Sequence, residues 1–256
     1  MSIFLAHLSI LFCSLAYQNP NVMRKLLQII IVLFTASGMA QLPQELLTAT
    51  EKTTVFDSYV GSIYSNDDYQ GATVVAEKTG TFKVPVRYNI FNDAIECEDG
   101  SQLYELAKTP TTHVRIGDDY FYYCKFKSER GFNKEGYYVL VELTDFYRVY
   151  KKYELDVTEA KAMDANTGAA QIAKIETRET YFLEENGTIV ELPTNKKDLL
   201  AVFSDKEEAL KEYMKEERIK PKKEEDLLKF VAKYNGLRNL DANPTRSLLS
   251  NRVQNN

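Results

Sequence analysis

The sequence predicts an α+β protein, in which a mainly antiparallel β meander or barrel-like sheet is followed by two or three C-terminal helices. Between residues 55 and 155, short runs of β-branched and aromatic residues alternate with turn residues, and no helical period intervenes. Closely spaced runs of this kind are typical of antiparallel strands. After Pro193 the hydrophobic period changes from about two to about 3.6 residues, which indicates amphipathic helices.

Turn-forming residues divide the predicted sheet into its strands. Asn92-Asp93 and Asp99-Gly100 are examples of the clusters that separate the runs, because Asn, Asp and Gly tolerate turn conformations. The predicted strands are 72–77, 82–90, 94–98, 102–107, 113–116, 120–127, 137–143 and 147–155. Residues 156–172 are small and polar, and we interpret them as an exposed loop.

The clearest hairpin of the chain is at 181–192. Alternating strand residues flank Asn186-Gly187 there. An Asn-Gly pair supplies the two positive-φ residues that a type I′ turn requires. The sequence therefore predicts that the two flanking strands pair antiparallel across this turn.

The helices are predicted from local start and stop signals. Residues 196–203 have the pattern of a short helix, and Pro221 separates the second helix from the third. Ser204 and Glu207 have the spacing of a capping box that would open the second helix. Gly236 is placed to end the third. Because the apolar faces are narrow, we expect the helices to dock on the sheet, with their Lys- and Glu-rich faces in solvent.

Residues 23–40 have the order of features of a cleavable secretory signal. Arg24 and Lys25 precede an apolar run of nine residues, and Gly38-Met39-Ala40 forms a small-x-small cleavage site before Gln41. Nine residues are too few to span a bilayer, which needs about 20. The prediction is a periplasmic or extracellular protein with no transmembrane anchor after cleavage.

This interpretation divides the chain into five parts. An upstream start extension precedes the signal peptide, unless the two form one long leader that is retained as an anchor. The β domain comes next, then the helices docked on it, then a polar segment without a period, which we expect to be a flexible tail. In order, the parts are 1–22, 23–40, 41–193, 194–236 and 237–256.

The charge composition argues against nucleic acid as a partner. The formal net charge is −5, so no overall basic field exists to attract nucleic acid.

Cys97 and Cys124 lie in predicted strands and would pass through an oxidising compartment, where a disulfide between them could form. Two separate thiols in the core are the alternative.

No recognisable catalytic or metal-binding motif is present. His113 is the only histidine after residue 40 and, alone on a strand, is expected to be structural. Two isolated cysteines and one histidine cannot fill a zinc shell. Asn66-Asp67-Asp68 lacks the spacing of a calcium loop. We therefore assign no catalytic residue, no metal and no cofactor, and we expect the protein not to be an enzyme.

The stretch 120–123 is the most unusual local feature, because it consists only of aromatic residues. Tyr120, Tyr122 and Tyr123 are the candidate binding residues, since exposed tyrosines can form a platform for a glycan or a partner chain. The alternative is that one alternation lines the core while the other is partly exposed.

Two stretches, 83–96 and 180–235, resemble exported proteins of unknown function from Bacteroidota, the flavobacterial type especially. The resemblance implies export and strands followed by helices, and it implies no activity. We expect a non-catalytic binding or interaction module of the cell envelope, with an envelope protein or a glycan as its partner. The alternatives are a barrel-like carrier of an apolar ligand and a carboxylate-dependent hydrolase. An apolar cavity would favour the carrier, facing carboxylates the hydrolase, and an exposed aromatic face the binding module.

Overall fold

The structure of the chain is a computed structural model that describes residues 42–160 and 172–242, with side chains to 238. The described residues from Pro43 onward belong to one compact unit. The predicted extension 1–22 and signal 23–40 lie outside the described residues, as does most of the predicted 156–172 loop.

The predicted α+β class is confirmed, with eleven strands before three helices. The strands are β1 (Leu47–Ala49), β2 (Gln70–Ala76), β3 (Gly80–Asn89), β4 (Ala94–Asp99), β5 (Gln102–Leu106), β6 (Thr112–Ile116), β7 (Asp119–Ser128), β8 (Asn133–Leu143), β9 (Arg148–Thr158), β10 (Lys174–Glu185) and β11 (Thr188–Leu192). The helices are α1 (Lys196–Val202), α2 (Glu207–Glu216) and α3 (Glu224–Ala242).

The strands form an open sheet joined to a closed ring. The open half-sheet has the order β1-β5-β4-β3-β2-β6-β7, and its neighbours pair antiparallel. Strand β7 also pairs with β8 and with β11, so β7 to β11 close on themselves. The closing β11–β7 pair is parallel and short, with Thr188 opposite Lys127 and Ile189 opposite Ser128.

The ring interior is filled with side chains. A cluster drawn from all five ring strands packs inside it, with edge-on contacts such as Phe126 to Tyr138 at 5.2 Å between ring centroids. Its members are Cys124, Phe126, Tyr138, Leu140, Tyr150, Phe182 and Ile189. Because successive strand residues face opposite sides, the neighbours of these residues point outward from the ring.

The helices pack on the outward face of the ring, as their narrow apolar faces predicted. Side chains from β9, β10 and β11 meet buried residues of all three helices in one cluster. The cluster contains Tyr147, Val149, Tyr181, Leu183, Leu192, Leu199, Phe203, Leu210, Met214, Ile219, Leu227, Phe230 and Val231. Full burial of one such side chain stabilises a fold by about 1.5–3 kcal/mol, so the helices and the ring depend on each other.

Two predicted helix ends are wrong. The capping box does not form, because Phe203 is buried and residues Ser204–Lys206 make a 3-10 turn, so α2 begins at Glu207 without a side-chain cap. Gly236 lies inside α3, which continues into the predicted tail as far as Ala242. The helix continues because Leu237 packs on the helix–ring core and Arg238 bonds both carboxylate oxygens of Glu185, at 2.6 and 2.9 Å.

Asp93 joins the half-sheet to the ring. It lies in the β3–β4 turn with φ 49°. Its carboxylate accepts hydrogen bonds from the Tyr88 hydroxyl at 2.6 Å and the Tyr137 amide at 3.1 Å. Lys152 of β9 donates to the same group at 3.4 Å. Gly136 has φ 150°, and a Cβ there would displace this carboxylate and the Lys152 ammonium, so the position favours glycine.

Candidate functional site

Strand β7 presents its aromatic residues to two sides. Phe121 and Tyr123 face the core of the half-sheet and are 2% and 9% exposed. Tyr120 is 39% exposed and Tyr122 is partly buried on the opposite face of β7, which further along the strand turns Cys124 and Phe126 towards the ring interior. One alternation therefore lines the core and the other is accessible, which is the second of the two arrangements that the sequence left open. Of the three predicted binding residues, the structure brings Tyr120 and Tyr122 together and places Tyr123 on the other face of β7, in the core of the half-sheet.

Tyr123 takes part in the core rather than in a surface. Its ring packs edge-on against Tyr137 at 5.4 Å between centroids. Its hydroxyl donates a hydrogen bond to Glu135. Burial and this hydrogen bond raise the pKa of Tyr123 to about 12, so the hydroxyl stays protonated at neutral pH.

Each accessible tyrosine of β7 stacks on a side chain of β6. His113 lies opposite Tyr122 in the strand register, and their rings stack at 5.0 Å with an interplanar angle of 18°. Arg115 lies opposite Tyr120, with its guanidinium carbon 5.2 Å from the ring centroid. We call these four residues the aromatic–cation face. Because both pairs are already stacked, a ligand would bind them at a small cost in side-chain entropy.

The strand positions around the aromatic–cation face carry positive and neutral groups, and one carboxylate, Asp118, lies in the β6–β7 turn. Arg115 is half exposed, and its Nε donates to the Gly117 carbonyl at 3.0 Å, which fixes the guanidinium. The neighbouring outward positions on β2 and β3 hold no carboxylate; they are Gly71, Thr73, Val75, Thr81, Lys83 and Pro85. The nearest acidic partner of Arg115 is the exposed Asp118, at 3.9 Å.

The loop before β2 covers one end of the half-sheet face that carries Arg115 and Lys83. Arg87 of β3 lies between the rings of Tyr64 and Tyr69, at 3.8 and 4.6 Å from their centroids. Its guanidinium bonds Glu96, which is 1% exposed and also accepts from Asn89 at 2.7 Å. All of these groups have partners, so we interpret them as structural.

Cys97 and Cys124 are both free in the structure, so the disulfide that the sequence allowed is not formed. Cys97 lies on β4 and Cys124 on β7, and β3, β2 and β6 separate the two strands in the sheet. Burial raises the pKa of Cys97 to about 11 and that of Cys124 to about 12. Both thiols therefore stay protonated and unreactive near neutral pH.

Among the described residues, no group of three or more His, Cys, Asp and Glu side chains could hold a metal ion. The Asn66-Asp67-Asp68 turn is held by its own bonds instead. Asn66 Oδ1 accepts from the Asp68 amide at 3.0 Å, and Asp67 accepts from the Ser62 hydroxyl.

Three carboxylates surround the ammonium group of Lys151. Its ammonium lies 3.2 Å from Asp119, 3.9 Å from Glu179 and 3.8 Å from Glu224. The Tyr181 hydroxyl bonds both glutamates, at 3.0 and 2.9 Å. Because Glu224 begins α3, this cluster fastens the helix to β9 and β10.

None of the helices in the described part of the chain is both long enough and apolar enough to cross a membrane. Comparisons with models of protein families, with curated proteins and with solved structures found no match.

The sequence could have pointed to half of the aromatic–cation face. Alternation along 120–123 separates Tyr120 and Tyr122 from Tyr123. The roles of His113 and Arg115 were missed, because they depend on the β6–β7 register. The turn Gly117-Asp118 between these strands was the available signal, since a two-residue hairpin turn fixes the register.

Proposed function

We propose that this protein is an exported, non-catalytic binding module of the cell envelope, and that its aromatic–cation face binds an acidic glycan. The observation that carries the proposal is the pair of pre-stacked contacts, His113 on Tyr122 and Arg115 on Tyr120, at outward positions without a neighbouring strand carboxylate. Tyrosine rings offer apolar surface to the carbon–hydrogen faces of sugars, and their hydroxyls can bond sugar hydroxyls.

The charge of the face favours an acidic glycan over a neutral one. Arg115 of β6 and Lys83 of β3 are exposed cations at the same register position, with Thr73 of β2 between them. A guanidinium can bind a sugar carboxylate through two parallel hydrogen bonds. The open sheet also suits an extended polymer, which can lie across several strands.

The carrier and the hydrolase have less support. Side chains from all five strands pack the ring interior, where a carrier would need space for its ligand. The grouped carboxylates at Lys151 share that ammonium and the Tyr181 hydroxyl, and they fasten α3. Neither arrangement favours a second function over binding.

Affinity electrophoresis through gels that contain alginate, a polymer of uronic acids, tests the proposal. We expect alginate to retard the wild-type protein, and dextran, a neutral polymer, to leave its mobility unchanged. Arg115→Ala should weaken the retardation about tenfold to 100-fold, because a hydrogen bond to a charged group contributes about 1.5–3 kcal/mol. Tyr120→Ala should weaken it as well.

The matched control is Lys78→Ala, which removes one positive charge from an exposed position in the β2–β3 turn. We expect this variant to bind alginate like the wild type. Equal retardation of the wild type and Arg115→Ala, or equal loss in Lys78→Ala, would contradict the proposed site.

Export is the second part of the proposal, and it is supported by the charge, apolar run and small residues of 23–40. The protein from its natural host should begin at Gln41 and occur in a periplasmic or extracellular fraction. N-terminal sequencing of native material tests this expectation. A chain that retains Met23 would contradict it.

A further inference from the structure

A second charged surface lies on the helices, away from β6 and β7. It is a cleft of ≈ 390 Å³ between α1, α2 and the turn that follows α2. Cations form its rim, and apolar side chains form its floor. The rim residues are Lys196, Lys211, Lys215, Arg218 and Lys220, and the floor residues are Leu200 and Met214. We call this surface the helical cation cleft.

The local fold fixes the positions of these cations. Lys211 and Lys215 are four residues apart on α2 and therefore lie on one face of the helix. Arg218 has φ 54° and occupies the left-handed position after α2, where the Ile219 amide bonds the Met214 carbonyl at 3.0 Å. The Lys220 amide donates to Asp226 at 3.0 Å, which holds the turn against the start of α3.

The cations of the cleft have no acidic partner. No ion pair within 4.0 Å among the described side chains includes any of the five, although Glu208 and Glu212 are close to them in the sequence. Lys211 and Lys215, four residues apart on α2, also repel each other. This concentration of unpaired positive charge occurs in a chain with a net charge of −5.

The shape and charge of the cleft favour one occupant. Because the cations come from two helices and a turn around one cleft, they offer several positive charges to the same surface, which suits the dense negative charge of an anionic bilayer. Met214 is only 3% exposed and Leu200 is partly buried, so the floor is recessed. A bilayer contact through this surface would therefore depend on charge, with about 1 kcal/mol for each Lys or Arg near the headgroups. A peptide that binds by adding a strand would have no exposed strand edge to pair with on this helical surface.

We propose that the helical cation cleft binds the phosphate headgroups of anionic phospholipids and holds the folded protein on a membrane surface. This contact is peripheral and reversible, and it is independent of the glycan site. Because charge carries it, binding should fall as the salt concentration rises.

Vesicle co-sedimentation of the full chain tests the inference. The vesicles are phosphatidylcholine alone or phosphatidylcholine mixed with phosphatidylglycerol, at low and at high salt. We expect the phosphatidylglycerol-dependent part of binding to fall about 30-fold or more in Lys211→Glu/Lys215→Glu. Residues 1–40 contribute equally to every variant, so the comparison reports on the cleft.

The matched control is Lys78→Glu/Lys134→Glu, which makes the same change in net charge at two exposed lysines outside the cleft. It should keep most of the phosphatidylglycerol-dependent binding. Equal losses in the two double variants, or no loss in the cleft variant, would overturn the inference. Binding to polyglutamate without binding to vesicles would also overturn it. If the glutamate variant does not fold, Lys211→Gln/Lys215→Gln gives the same test with a smaller expected loss.

Discussion

Asp93 provides the sharpest test of how the two halves of the sheet are joined. Replacing it with alanine would remove the acceptor for the buried Tyr88 hydroxyl, for the Tyr137 amide and for the Lys152 ammonium. A buried donor that loses its partner costs about 1–3 kcal/mol. Alanine also adopts the left-handed backbone conformation of this turn less readily than aspartate does.

The expected loss for Asp93→Ala is therefore about 3–5 kcal/mol, which corresponds to a decrease of about 10 °C in melting temperature for a domain of this size. Asp93→Asn keeps one acceptor oxygen and a side chain that tolerates positive φ, so its loss should be about 1–2 kcal/mol. Urea denaturation followed by circular dichroism measures both values. Asp68→Ala, at an exposed aspartate with no side-chain partner among the described residues, is the control.

A double-mutant cycle with Tyr88 separates the hydrogen bond from other effects. Tyr88→Phe removes the hydroxyl whose pKa burial and Asp93 hold well above its ordinary value. It should destabilise the wild type but not the Asp93→Ala variant, where the hydroxyl already lacks its partner. A loss under about 1 kcal/mol for Asp93→Ala, or additive effects in the cycle, would refute the proposed link.

Three further predictions concern stability and are checked by denaturation experiments. Gly61→Ala should lower the free energy of unfolding by about 2 kcal/mol or more, because φ is +113° and the added Cβ would overlap the Ile175 carbonyl. Gly71→Ala is the control, because its Cβ would enter open space. Similar losses of stability in the two variants would contradict this prediction. Gly236→Ala should stabilise the protein by about 0.5–1 kcal/mol, since Gly236 is inside α3; destabilisation would indicate a helix end. Burial raises the pKa of Tyr138 to about 12. The stability that its protonated hydroxyl contributes is therefore complete below about pH 10 and is lost as the pH rises towards 12. Thermal melts followed by tyrosinate absorbance test this, and a stability that does not change over this pH range would refute it.

Local signals predicted much of the fold because they act between residues close in sequence. The Asn186-Gly187 hairpin forms as expected, with φ of 52° and 82° at the turn and Glu185 opposite Thr188. The short helix at 196–203 is also present, and Asn195 caps it by accepting from the Lys197 amide at 2.8 Å.

Long-range contacts could not be predicted in this way. The ring closes through two residue pairs between β7 and β11, about 60 positions apart, and no local pattern announces a short parallel pair. The same limit explains the error at Gly236. A glycine costs a helix about 1 kcal/mol, which the packing of Leu237 and the bonds of Arg238 to Glu185 outweigh.

The candidate site was also predictable only where local signals define it. Alternation identified the outward tyrosines, but their stacking partners depend on which strand lies beside β7. The helical cation cleft was hidden because five glutamates surround two lysines along 207–217, so the sequence shows no excess of positive charge there. The helix geometry separates them and leaves the cleft lining without a carboxylate.

The central claim is that the face of β6 and β7 that carries the aromatic–cation face is the ligand surface. A titration of the isotope-labelled protein with alginate oligosaccharides, followed by amide nuclear magnetic resonance spectra, tests it most directly. We predict the largest shift changes at His113, Arg115, Tyr120 and Tyr122, and none with dextran fragments of similar length. Changes confined to the helices or to the ring interior, or no changes at all, would contradict the account.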